Sequence, residues 1–198
     1  MGNLPGDQMG SHVELSANGG WVVWHDNATD GSGLGISARR LNSSLSGEFN
    51  TFRINQIGLG EQENPKVSLL QNGGAAFVWQ GGQVGFQNIY LRIIGSEGVF
   101  QTGDVLVNTY TNQQQGQPVI TTLNNGNLAV AWSSYGQDGS MQGVYARIFS
   151  DTGTPITSEF LVNQRTSYNQ RNPQVAALAD GRILLAWASE RPRSLSET

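Results

Sequence analysis

The sequence predicts an all-β fold of the β-propeller type, built from four-stranded antiparallel blades, three complete repeats plus a half repeat. Three observations carry that expectation. A tryptophan recurs as Trp24, Trp79, Trp132 and Trp187, at spacings of 55, 53 and 55 residues. Around it a glutamine, a proline, an Asn-Gly or Asp-Gly turn, an arginine and an asparagine recur at matching offsets. No segment keeps a helical period over a helix-length window.

Each unit opens on a glutamine. Gln8, Gln62, Gln115 and Gln170 stand three residues before Ser11, Pro65, Pro118 and Pro173. The first strand then alternates, as in Val67/Leu69 and Val175/Ala177. "NNG" or "ADG" closes a hairpin, because these residues accept the backbone angles of tight turns. The second strand is apolar throughout ("NLAVAW", "RILLAW"), as expected of a strand covered on both faces. A loop carrying "TDGSGLG" or "QDGSMQG" leads to the third strand. There "GISARRL", "NIYLRII" and "GVYARIF" place Arg39, Arg92 and Arg147 in one position. A short fourth strand ends at Asn55, Asn108 or Asn163, and an Asn/Gln-rich connection reaches the next glutamine. The chain thus reads as one repeat domain over 1–198. Repeat 1 covers about 8–61, repeat 2 about 62–114, repeat 3 about 115–169, and the half repeat 170–198.

Four strands in such a period match a propeller blade, usually about 40–50 residues long. A single blade is a small sheet with two apolar faces, so blades must stack to bury them. The recurring tryptophans are read as packing between blades. An arginine among apolar residues needs partners, so Arg39, Arg92 and Arg147 are expected to bond carbonyls or an Asp of a neighbouring strand. The alternative is an anion site lining the channel. Three and a half units are too few to close a ring, which takes at least about four blades. Self-association as a homodimer completing a ring is therefore expected.

Composition narrows the function classes. Charged residues make up 13% of the chain, against about 25% in an average domain. The net charge is −4 and Lys66 is the single lysine, so a nucleic-acid footprint is not expected. No apolar run approaches a membrane span. "MGNLPGDQ" has neither the basic start nor the apolar core of a secretory signal. The chain contains no cysteine, which removes thiolate chemistry and disulfides.

The pattern P-x-V-x-x-L-x-[ND]-G-x(5)-W, then Q-D-G-S-x-x-G-V-Y-A-R-x-F, then E-F-x-V-N, resembles tandem repeats of large bacterial secreted and surface proteins, RTX-like and adhesin-type. Residues 118–189 match best, and the likeness covers nearly the whole chain. The second unit departs: "WQGGQVGFQNIY" is two residues shorter and lacks Asp-Gly-Ser. The resemblance implies a propeller-like repeat region, an extracellular or cell-surface setting, and membership of a larger protein. It implies no single chemistry.

Candidate sites are few. Asp30-Gly31-Ser32 and Asp138-Gly139-Ser140 read first as turns, since Asp accepts backbone N–H bonds and Gly takes positive φ. Ion or ligand binding is the other reading. "DNATDG", with Asp26 and Asp30, resembles the start of a calcium loop, but Ala28 and Ser37 stand where such a loop has ligands. Calcium at Asp26, Asp30 or Asp138 is the one cofactor considered; otherwise none is expected. Tyr110 and Tyr168 lie in amide-rich linkers, which read as surface loops or as a stacking surface for sugars. His25 is expected at the surface, and Glu61 and Glu63 are expected to face solvent.

These features lead to the expectation of a non-enzymatic extracellular binding or structural module, presenting loops to a glycan or a surface protein. A sialidase-like, glycan-cleaving propeller is the alternative, and an architectural spacer a third reading.

Overall fold

The computed structural model describes residues 4–47 and 51–190. Residues 191–198, the end of the half repeat, lie outside the described residues. The first sheet comprises β1 (Gln8–Ser16), β2 (Gly19–Asp26), β3 (Gly35–Leu41) and β4 (Phe52–Arg53). The second holds β5 (Glu61–Leu69), β6 (Ala75–Gly82), β7 (Asn88–Ile94) and β8 (Val105–Leu106). The third holds β9 (Gln115–Thr122), β10 (Leu128–Tyr135), β11 (Gln142–Phe149) and β12 (Phe160–Leu161). The fourth pairs β13 (Gln170–Ala177) with β14 (Ile183–Ser189). Every sheet runs in chain order with antiparallel neighbours, the meander of a propeller blade. The described residues contain no helix, and so none long enough to cross a membrane.

Consecutive blades touch along their first strands, β1 on β5, β5 on β9 and β9 on β13, so these strands are innermost. The first strands are longer than the sequence pattern indicates. They start at or just before the repeat's glutamine and run straight through the proline position. A β-bulge makes this possible, because the residue before that position turns left-handed: Gly10, Asn64, Gln117 and Asn172 have φ of 59°, 52°, 56° and 54°. The bulge breaks the ladder where the proline lacks an N–H.

The seams between blades repeat in detail. Trp79 and Phe77 of β6 pack on Trp21, Val23, Ile36 and Ala38 of the first blade. Trp132 of β10 packs in the same way on Val78, Ile89, Leu91 and Ile93. Both tryptophans are fully buried. Their Nε1 groups donate to the repeat glutamines, Trp79 to Gln62 Oε1 at 3.2 Å, Trp132 to Gln115 at 3.1 Å and Trp187 to Gln170 at 3.3 Å. Trp24 differs and donates to Asp26 Oδ2 at 3.1 Å. The repeat asparagines hold the start of the third strand. Asn55, Asn108 and Asn163 accept from Ile36, Ile89 and Val144 N–H at 2.7–2.8 Å.

The arginines staple blade to blade. Arg147 Nε donates to Thr157 O at 3.0 Å within its own blade, and Nη1 to Val107 O of the preceding blade at 3.0 Å. Arg92 does the same with Thr102 O and with Ile54 O of the first blade. A second clasp lies beside it. Asp104 Oδ2 accepts the N–H groups of Gln56 and Ile57 across the seam, both at 2.8 Å, and Glu159 accepts Thr109 N–H at 2.7 Å.

Candidate active site at the axial mouth

The inner strands begin, and the second strands end, at the linker end of the axis. Four cross-strand pairs stand there at one level: Met9/His25, Glu63/Gln80, Gly116/Ser133 and Arg171/Ala188. The second member of each pair directly follows the repeat tryptophan, and so points to the face opposite to it.

Glu63, Gln80 and Ser133 join Gln87, Gln114 and Gln117 in one polar network that reaches across three blades. Glu63 Oε2 accepts Gln80 Nε2 at 3.2 Å and Gln87 Nε2 at 3.0 Å. Gln87 Oε1 accepts Gln80 Nε2 at 3.1 Å and Gln114 Nε2 at 3.3 Å. Gln80 Oε1 accepts the N–H of bulge residue Gln117 at 2.9 Å. Gln117 Oε1 in turn accepts Ser133 Oγ at 3.0 Å and the N–H of the next bulge residue, Asn172, at 3.1 Å. On the fourth blade Arg171 bonds Glu190, whose Oε2 also accepts Asn169 Nδ2 at 2.8 Å. Those two donors hold the Glu190 carboxyl below its ordinary pKa.

His25 completes the mouth on the first blade. It is 8% exposed, not a surface residue as its sequence position indicated, because the next blade covers the face it points to. Its Nδ1 is buried without a hydrogen-bond partner within the chain. Burial lowers its pKa, and the charges of Glu63 and Asp26 offset part of that. A β-carbon at Gly10 would meet the His25 ring at 2.5 Å, so the left-handed glycine also makes room for the imidazole. Glu61 and Glu63, expected in solvent, are instead half-buried residues of β5.

The sequence-nominated residues lie elsewhere. Asp30 and Asp138 form turns, accepting Ser32 N–H at 3.0 Å and Ser140 N–H at 3.1 Å, with Gly31 and Gly139 at φ of 78° and 86°. Asp26 is occupied by Trp24, Thr29 and Ala28 N–H; burial pushes its pKa up, and hydrogen bonds from Ser37, Thr29 and the Ala28 N–H outweigh this and lower it. Among the described residues no three His, Asp or Glu side chains converge on a cation position. Tyr168 is 40% exposed, and its N–H donates to Ser140 Oγ at 3.1 Å, tying its linker to the Asp138 loop. Tyr110 is half-buried on the preceding linker. Neither tyrosine takes part in the network at the mouth. Glu63 and Gln80 carried one sequence signal: their positions change chemistry from unit to unit, whereas the tryptophan and glutamine beside them do not.

No protein-family model and no curated protein matches the sequence. Solved structures do share the fold. An endo-arabinase from Bacteroides thetaiotaomicron aligns with a TM-score of 0.58 at 14% identity, over 90% of this chain and 68% of that one. A thermostable family-43 glycoside hydrolase gives 0.55 at 14%, over 91% and 65%. An α-L-arabinanase from Penicillium chrysogenum, complexed with arabinobiose, gives 0.55 at 14%, over 90% and 52%. The chain spans from about half to two thirds of the length of these structures. The fold is that of a β-propeller. The expectation of a non-enzymatic binding or structural module is overturned, because the proteins sharing the fold are glycan-cleaving enzymes. The repeat pattern misled because it reports the seams, whereas the acid and amides of the mouth meet only once the inner strands converge.

Proposed function

We propose that the chain forms part of a glycan-cleaving propeller whose reacting sugar sits over the axial mouth. The observation that carries this reading is the change of chemistry at one repeat level: Met9, Glu63, Gly116 and Arg171 on the inner strands, His25, Gln80, Ser133 and Ala188 beside them. Fold likeness to arabinan-cleaving and other glycoside hydrolases supports it. Glycoside cleavage uses two carboxyl groups, one delivering a proton to the leaving oxygen. Glu63, at the centre of the amide network, is assigned the proton transfer. Glu190, kept ionised by Arg171 and Asn169, suits the base or nucleophile role.

The test is release of reducing sugar from linear arabinan and from a panel of fluorogenic glycosides. Wild-type turnover should fall about 10²–10⁴-fold in Glu63→Gln, with the unfolding midpoint nearly unchanged. Silence of the wild-type chain across the panel would overturn the reading, as would a Glu63→Gln variant of full activity.

A further inference from the structure

The seams inside the chain define what an incomplete seam lacks. At each complete one, a third-strand arginine donates to the carbonyl just before the repeat asparagine of the preceding blade, Ile54 O for Arg92 and Val107 O for Arg147. Twelve residues after that arginine, Asp104 or Glu159 accepts the N–H just after the same asparagine. The matching groups on the third blade are Val162 O and Gln164 N–H, flanking Asn163. They line a cavity of about 420 Å³ together with Arg165, Gln170, Trp187 and Ser189. Beside it runs β14, which pairs with β13 on one side and is the outer strand of its sheet among the described residues. Leu184 of β14 is 55% exposed. Trp187 has the position of Trp79 and Trp132, yet it is only partly buried.

We infer that this edge is a docking site for a β-hairpin of the same repeat type, with an apolar-Arg-apolar strand followed by an acid twelve residues after the arginine. The hairpin adds to β14 as a third strand. The register of the third blade, Trp132 on Tyr145 and Val130 on Arg147, sets its aromatic residue against Trp187 and its arginine against Leu185. That register aims the guanidinium at Val162 O and the acid at Gln164 N–H. Main-chain bonds supply affinity, as in other strand additions, and the arginine and acid supply specificity. The first blade carries the arginine of this motif without the acid, since Thr51 stands twelve residues after Arg39. Arg39, in the register of Arg92 and Arg147, donates to Thr51 Oγ1 at 2.8 Å, while its Nε is buried without a partner.

The probe is a synthetic peptide of residues 142–163, which carries Arg147 and Glu159, titrated into the intact chain. Saturable one-to-one binding with a blue shift of Trp187 emission is expected, the shift being absent in Trp187→Phe. A peptide with R147A should bind about tenfold or more weakly, and one with E159Q more weakly than the parent. If the free chain is a dimer, the peptide should convert it to a monomer. Because these changes are in the peptide, the chain's own folding is not at stake. No saturable binding, equal affinity for parent and R147A peptides, or a dimer that persists at saturating peptide overturns the inference. None of these results depends on glycan turnover.

Discussion

The seams between blades and the mouth on the axis are built from the same strands under opposite rules. At the seams a residue type recurs wherever a blade meets its predecessor: tryptophan on glutamine, arginine on a carbonyl, an acid on a backbone N–H. At the mouth, along the same strands, the equivalent position changes from blade to blade: Met9, Glu63, Gly116 and Arg171. Each seam solves one packing problem, and a solution copied with the repeat works again. The mouth is a single place seen by every blade, so each blade can contribute something different. In this chain uniform positions mark the scaffold and variable ones mark the candidate site.

The comparison breaks most visibly at a buried tryptophan. Trp132→Ala should cost ~3–5 kcal/mol, measured by urea unfolding, because it empties the seam and leaves Gln115 Oε1 without its donor. Trp24→Ala should cost less, since Trp24, though buried, lies next to Leu4 and Pro5 rather than against a neighbouring blade. Equal costs would mean that the seam is not what stabilises the chain. Next comes the staple. Arg92→Ala should lose about 2–3 kcal/mol, as charged hydrogen bonds do, together with the stacking of its guanidinium 3.6 Å over Phe100. Arg39→Ala should lose about 1 kcal/mol or less. A larger loss at Arg39 would reverse the ranking.

A smaller effect follows pH. Burial lowers the pKa of His25, and burial together with Lys66 lowers that of His12. A depressed folded pKa gives stability that is complete above the unfolded value and is lost as pH falls through it. The urea midpoint should therefore drop as pH passes below the ordinary histidine value of 6.5. Glu14, whose pKa burial raises, acts in the opposite direction only nearer its ordinary 4.5. His25→Gln should shrink the drop, and an unchanged drop in a His12/His25 double variant would assign it elsewhere. The smallest stability change belongs to the mouth. Ser133→Ala should stay within about 1 kcal/mol, since it removes one hydrogen bond, to Gln117 Oε1.

Much of the fold was legible in advance because local rules and the repeat agreed. The Asn-Gly and Asp-Gly turns and the apolar second strands stand where the pattern put them, whereas the fourth strands end two residues before Asn55, Asn108 and Asn163. The Pro65, Pro118 and Pro173 positions were not legible as strand. A proline suggests a strand boundary, and only the left-handed bulge before it lets the inner strand continue. The site was the least legible part. Glu63 and His25 are 38 positions apart in sequence, and Glu63 and Glu190 are 127 apart. Asp30 and Asp138 stood out because they repeat, and repetition proved a mark of turns.

By itself the sequence determined the blade: its length, its strand order, its turns and the residues that fill its seams. Those depend on short-range backbone preferences and on alternation along one strand, which a linear pattern records. The tertiary structure alone decided which residues meet at the axis and which strand is outermost in each sheet among the described residues. Both follow from how separate sheets stack, and stacking joins residues that no spacing along the chain relates.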